Sequence, residues 1–239
     1  MAQPSRGGYL WNDIDIARRS DLKIGIIGAG NIGQALARLA VANGHTATLS
    51  NSRGPETLRD VIAEIGCQAK ATADIPSVSD IVVLTVPLTA AFKIAPHLLD
   101  GRLVIDTNNY YPDRDGKITM LDQRETTTSQ MIANHFSGAT IVKAFNAILA
   151  KDLLDPVILP NAAKRALPIA SDDTAAKAVL TALQADFGYD TVDAGHLVDS
   201  WRFERAKPAY CIPLDTSGLI SALAAAERDK ELPEGSWRR

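Results

Sequence analysis

Residues 23–33 read KIGIIGAGNIG, an isoleucine-rich run that ends in Gly28-Ala29-Gly30-Asn31-Ile32-Gly33, a G-x-G-x-x-G spacing. A short apolar run closed by glycine suits a strand buried on both faces. From Asn31 onward, apolar residues recur at Ile32, Ala35, Leu36, Leu39 and Ala40, which is helical spacing, and Gly44 follows as a helix-ending glycine. The glycines sit in the strand–turn–helix context that gives the spacing meaning. Gly28 permits the tight turn, Gly30 lets backbone N–H groups approach a pyrophosphate, and Gly33 lets the helix lie close on the strand. The positive end of the helix dipole then faces the anion.

The same alternation runs on. HTATLS, CQAKAT, IVVLTVP, RLVIDTNN, ATIVKAFN, LPIA and YDTVDAG read as strands. Helical patterns fall between them: from Pro55 to Ile65, from Thr89 to Leu99 with a break near Pro96, from Ser129 to Phe136, and from the SDDT cap to Gly188. Alternating strands and helices predict an α/β fold with a doubly wound, mostly parallel sheet of Rossmann type. At roughly 150 residues per domain, the chain of 239 residues divides into an N-terminal extension (1–20, with Trp11 pinning it), a dinucleotide-binding domain (21–160) and a C-terminal α/β extension (161–239) that completes the sheet. The C-terminal SALAAAERDK run reads as a solvated helix and tail.

Net charge is −3 and no run of Lys or Arg exceeds two, so no basic field invites nucleic acid. No apolar stretch is long enough to span a membrane, and the first twenty residues have no secretory h-region. Cys67 and Cys211 form neither a metal-spacing motif nor a disulfide framework, so a cytoplasmic chain without a metal site is expected.

The second strand discriminates between dinucleotides. An acidic residue about 20 positions after the glycines accepts from the ribose 2′-OH of NAD. Here Ser50-Asn51-Ser52-Arg53-Gly54-Pro55 carries no carboxylate until Glu56. Arg53 can fork onto a 2′-phosphate, with the hydroxyls of Ser50 and Ser52 and the amide of Asn51 beside it. The other reading is a polar turn with a solvated Arg53. The missing acid and the added guanidinium both point to NADP(H).

Ligands of open parallel sheets sit at the carboxyl ends of the strands. Three ends here are polar or turn-forming: Thr85-Val86-Pro87, Asp106-Thr107-Asn108-Asn109 and Lys143-Ala144-Phe145-Asn146. The combination of GIIGAGNIGQALA, SNSRGPETL, VVLTVP, IDTNN, IVKAFNAI, LPIASDD and VDAGHL, from about Lys23 to Pro213, resembles the NADPH:deazaflavin (coenzyme F-420) oxidoreductases. It is equally similar to the cytosolic NADPH-binding domain of the STEAP metalloreductases, notably in the Asp106–Asn109 and Lys143–Asn146 segments and Ser200-Trp201. The resemblance implies that Ala29 to Ile32 hold the pyrophosphate and Ser52 and Arg53 the 2′-phosphate. It also implies that Val86 and Pro87 lie against the adenosine side, while Asn108, Ala144 and Asn146 border the nicotinamide. Deazaflavin-using members carry a histidine where this chain has Asn146.

The expected chemistry is transfer of a hydride between NADPH and a flavin or deazaflavin-type acceptor, a small molecule that needs no strong general acid. A carbonyl or imine substrate would need a proton donor. Lys143, His135 and His196 are the candidates. Opposite strand parity sets Lys143 apart from Asn146 and favours a snorkelling lysine. His135, late in a helix, reads as a surface residue complementing the dipole. His196, in the loop after Asp193-Ala194-Gly195, is placed to reach an acceptor and joins Asn146 as the expected catalytic pair. Trp201, Phe203 and Tyr210 are available to lid a flat ring, to pack in the core or to meet a second copy of the chain in a homodimer. Two other functions stay open: a β-hydroxyacid dehydrogenase or imine reductase type of enzyme, and a non-catalytic NADP(H)-binding sensor.

Overall fold

The isoleucine run and the apolar runs after it form β1 (Lys23–Ile27), β2 (Thr46–Ser50), β3 (Gln68–Ala69), β4 (Ile81–Leu84), β5 (Leu103–Asp106) and β6 (Thr140–Lys143). These pair in parallel as a six-stranded sheet in the order β3-β2-β1-β4-β5-β6. The computed structural model describes residues 21–236 except Pro156. The extension 1–20, with Trp11, lies outside the described residues.

Strand parity sorts the core into two layers. Ile24, Ile26, Ile81, Val83, Leu103, Ile105 and Val142 pack on one side of the sheet, against Ala35, Leu36 and Ala40 of α1 (Asn31–Ala42). Val82, Leu84, Val104 and Ile141 pack on the other, where they meet Ile132 and Phe136 in and after α3 (Thr128–His135). The helix α2 (Arg59–Ile65) ends at Gly66 in the left-handed conformation, φ 77°. A capping box starts α3: the Thr127 hydroxyl accepts from the Gln130 N–H, and the Gln130 side chain accepts from the Thr127 N–H. The segment from Thr89 to Leu99 is broken near Pro96, as expected. A single helical turn at Leu88–Ala91 gives way to a 3₁₀ turn at Pro96–Leu99.

The C-terminal part departs from the expected continuation of the sheet. β7 (Ala166–Ile169) and β8 (Asp190–Asp193) form their own parallel pair, flanked by α4 (Thr174–Asp186). They join the main sheet at one antiparallel bridge between Lys143 and Ala170. The reason lies in β7. Ala166 donates to Leu214 O and Ala170 to Lys143 O, away from β8. Pro168 lies between them on that same edge and has no N–H to give, and the register of the Lys143–Ala170 bridge sets it opposite Phe145, past the end of β6, so the pairing does not extend along β7. The final helix, α5 (Thr216–Ala224), is half-embedded rather than solvated, with Leu219 and Leu223 buried. Among the described residues no helix is long and apolar enough to cross a membrane.

The glycine turn is held by close backbone approach. A Cβ on Gly33 would sit 2.0 Å from the Gly28 carbonyl oxygen and 2.8 Å from Thr85 Oγ1, whereas one on Gly30 meets nothing within 4 Å. Gly33→Ala is therefore expected to cost about 1–3 kcal/mol through forced displacement of α1 and to lower the melting temperature by roughly 2–12 °C. Gly30→Ala should leave it unchanged. Thermal unfolding followed by circular dichroism checks both, and an unshifted Gly33→Ala melt would contradict the contact.

Candidate active site

The ladders continue one residue beyond several strands and then stop at a common edge. Gly28 N–H donates to Ser50 O (3.0 Å), Thr85 N–H to Ile27 O (2.8 Å), Thr107 N–H to Leu84 O (3.3 Å) and Ala144 N–H to Asp106 O (3.2 Å). Past this edge the chain diverges around two adjoining cavities of about 570 and 410 Å³. Gly30, Thr85, Val86 and Pro87 line both, so the two form one cleft over the glycine turn.

The first cavity brings Gly28, Ala29 and Gly30 together with Asn51, Ser52 and Arg53. Gly28 stands at φ 115°, and Thr85 Oγ1 donates to its carbonyl at 2.7 Å. Asn51 folds the loop: its Oδ1 accepts from the Arg53 N–H (2.9 Å) and its Nδ2 donates to Thr57 Oγ1 (2.8 Å). The polar turn and the phosphate-facing guanidinium are thus compatible, since the turn uses the backbone of Arg53 and leaves its side chain exposed in the cavity. Ser50 is different. It is fully buried and donates to Ile26 O, so it is unavailable to a ligand, while Ser52 is exposed. Lys93 supplies a second exposed cation to this wall. Nothing in the sequence links it to Arg53, because the broken helical segment that carries it is irregular.

The second cavity takes Asn31 and Ile32 from the glycine turn and Asn108, Asn109 and Asn146 from the strand ends. Phe145 adopts φ 57°, unusual for an aromatic residue, and this turns the chain so that Asn146 faces the cleft. Asn146 and Asn109 are cross-bonded: Asn109 Nδ2 donates to Asn146 O (2.9 Å) and Asn146 Nδ2 to Asn109 Oδ1 (3.1 Å). Asn146 Nδ2 also donates to Phe203 O (3.0 Å). With both amide hydrogens so used, Asn146 Oδ1 is buried without a partner. A buried acceptor left unpaired costs about 1–3 kcal/mol.

Lys143 holds this loop from below and does not snorkel. It is fully buried, its Nζ donating to Asn108 O and to Thr128 Oγ1 (2.7 Å), with Asp106 Oδ2 at 3.5 Å. Its parity places it on the sheet face that α3 covers, and a covered face offers no route to solvent. Asp106 completes the network: Oδ1 accepts from the backbone and side-chain N–H groups of Asn108 (2.9 and 2.8 Å), and Oδ2 accepts from Ser129 Oγ.

Tyr111, which the sequence did not bring forward, lines the second cavity with Tyr210, their hydroxyls hydrogen-bonded to each other across 99 positions of sequence. Arg114 lies 4.7 Å from the Tyr111 ring centroid and donates to Asn109 O (3.0 Å). Burial, with Cys211 and Tyr111 beside it, pushes the Tyr210 hydroxyl well above the usual phenol range, so Tyr210 stays protonated.

Other expected site residues fall elsewhere. Gly33 is consumed in packing α1, as its expected role requires. Ala144 is fully buried in the core and lines neither cavity, because the ladder bond to Asp106 still holds its backbone inside the sheet. His196 is exposed, pairs with Asp172 Oδ1 at 3.1 Å and lines neither cavity; the loop after β8 belongs to the separate two-stranded ladder. His135 is half-buried rather than a freely exposed surface residue: its Nε2 bonds to Ile94 O (2.9 Å) and its ring packs edge-on to Phe92 and Phe136. Of the three aromatics expected to lid a ring, Phe203 is fully buried and Trp201 lines a separate cavity of about 230 Å³. Only Tyr210 reaches the cleft.

Residues 23–110 match the family model described as NADP oxidoreductase coenzyme F420-dependent. The rat metalloreductase STEAP3 is 25% identical over 198 residues, covering 80% of this chain and 38% of its own, so the chain spans well under half of that relative. The crystal structure of the hypothetical protein SMa0349 from Sinorhizobium meliloti superposes with a TM-score of 0.72 at 28% identity, over 82% of this chain and 96% of that one. That of a putative F420-dependent NADP reductase from Arthrobacter superposes at 0.65 and 23% identity, over 75% and 87%, a likeness of fold. The chain thus resembles NADP-dependent oxidoreductases of the F420-dependent type and, over most of its own length, the STEAP metalloreductase.

Proposed function

We propose that the chain is an NADPH-dependent oxidoreductase that passes a hydride to a flat acceptor of flavin or deazaflavin type in the second cavity. The observation that carries this reading is the unpaired, buried Oδ1 of Asn146, a residue that lines a cavity continuous with the glycine turn. The residues fit the dinucleotide. Gly30 leaves open space above the N-terminus of α1 for a pyrophosphate, and Ser52, Arg53 and Lys93 offer a hydroxyl and two cations to a 2′-phosphate. Val86 and Pro87 lie between the two ends. Asn146 Oδ1 accepts from the nicotinamide carboxamide, and the Lys143–Asp106 network keeps the Asn108–Asn109 loop from shifting. Bound in this cleft, the dinucleotide supplies a hydride from C4 of its nicotinamide ring. The protein contributes orientation and exclusion of water.

Arg53→Ala should weaken NADPH binding about 10- to 100-fold, the loss of a charge-assisted contact of roughly 1.5–3 kcal/mol, and leave NADH binding nearly unchanged. Calorimetric titration of both cofactors checks this, and equal losses for both would remove the 2′-phosphate assignment. Steady-state NADPH oxidation with FMN, FAD, a 5-deazaflavin and ferric chelates tests the reaction itself. Turnover is expected with at least one of the ring acceptors. Tight NADPH binding without turnover of any acceptor would instead identify a non-catalytic binding protein.

A further inference from the structure

Reducing a carbonyl, a quinone or a ring nitrogen requires a proton as well as a hydride. None of the three groups the sequence offers for that role stands at the cleft: Lys143 is enclosed beneath the loop, His135 is packed among aromatics and His196 is paired outside both cavities. Tyr111 and Tyr210 do stand there. We propose that Tyr111, backed by Tyr210, is the proton donor of this site, so that its acceptors are two-electron acceptors whose reduced form carries a new N–H or O–H.

The geometry supports each part of that role. Tyr111 is half-buried and lines the second cavity together with Asn109 and Asn146, while Tyr210 is 4% exposed behind it. Either hydroxyl of the pair can donate; with Tyr210 O–H donating to Tyr111 Oη, the Tyr111 hydrogen is left for a ligand. When the hydride arrives, two electrons and one hydrogen enter the acceptor, and negative charge collects on its nitrogen or oxygen. The Tyr111 O–H bond breaks, the proton forms the new N–H or O–H bond, and a phenolate remains. Tyr210 donates to that phenolate. The guanidinium carbons of Arg114 and Arg205, 4.7 and 5.8 Å from the Tyr111 ring centroid, favour the negative charge. Water at the cleft mouth then returns the proton.

The inference rests on the hydride-transfer reading above, and its test separates the two. Tyr111→Phe and Tyr210→Phe are compared with the unaltered chain using FMN, a 5-deazaflavin and a para-quinone. Expected are a fall in kcat of about 100-fold for Tyr111→Phe, a smaller fall for Tyr210→Phe, NADPH affinity unchanged in both, and slower turnover of the unaltered chain in D₂O. A readout independent of turnover is calorimetric titration of oxidised FMN into cofactor-free protein, where Tyr111→Phe should weaken binding up to about tenfold through the lost hydrogen bond. Unchanged kcat and FMN affinity in Tyr111→Phe would overturn the assignment, as would equal rates in H₂O and D₂O. So would a fall in kcat matched by lost NADPH affinity and a lowered melt in both variants, which marks a structural role. If the unaltered chain oxidises NADPH with none of the acceptors, the hydride-transfer reading falls and this inference with it.

Discussion

Parallel strands end their hydrogen-bond ladders at the same edge, and here the order of connection opens a gap at that edge between β1 and β4. From β1 the chain winds outward to β2 and β3, then returns to β4 and winds the other way. No connection crosses the gap, so the last backbone groups of these strands face a cleft. Everything attributed to the site depends on this constraint. The glycine turn, the Arg53 loop, the Val86-Pro87 turn and the asparagine loop leave four neighbouring strands at nearly the same level and converge without further design.

Convergence alone does not make a rigid site, and buried polar groups supply the rigidity. Lys143 and Asp106 share one sheet face under α3, and their hydrogen bonds run to the backbone and side chain of Asn108 and to Thr128 and Ser129. Removing one partner of such a network leaves a charge uncompensated in the core, which typically costs about 3–5 kcal/mol. Asn146 and Asn109 are bonded reciprocally above it. The one acceptor this arrangement leaves over is Asn146 Oδ1, on a residue that lines the second cavity.

Much of this was legible in the chain. The glycine turn announces itself because its positions cannot carry a side chain: a Cβ on Gly28 would meet the Thr85 carbonyl oxygen at 2.6 Å. The strands and helices of the main sheet are legible because burial on both faces imposes continuous apolar runs between helical periods. Arg53 is legible because it stands where a carboxylate otherwise would. What could not be read is what covers each face and what folds back from afar. Parity separated Lys143 from Asn146 correctly, yet only the tertiary fold shows α3 closing over it. His135, too, is partly covered only in the tertiary fold, by Phe92 and Phe136. The single bridge from β7 to β6 follows from which edge Pro168 presents, and that depends on pairing with β8. Tyr111 and Tyr210 share no period or motif, and only the path of the chain after α4 brings them together.

Every role given to the cleft depends on where a dinucleotide lies. A crystal structure of the chain with NADP⁺ is the most direct measurement. It should show the ribose 2′-phosphate beside Arg53 and the nicotinamide carboxamide donating to Asn146 Oδ1, with the Tyr111 hydroxyl facing the open side of the ring. A dinucleotide bound away from the glycine turn, or lying with its nicotinamide at Arg53, would contradict it.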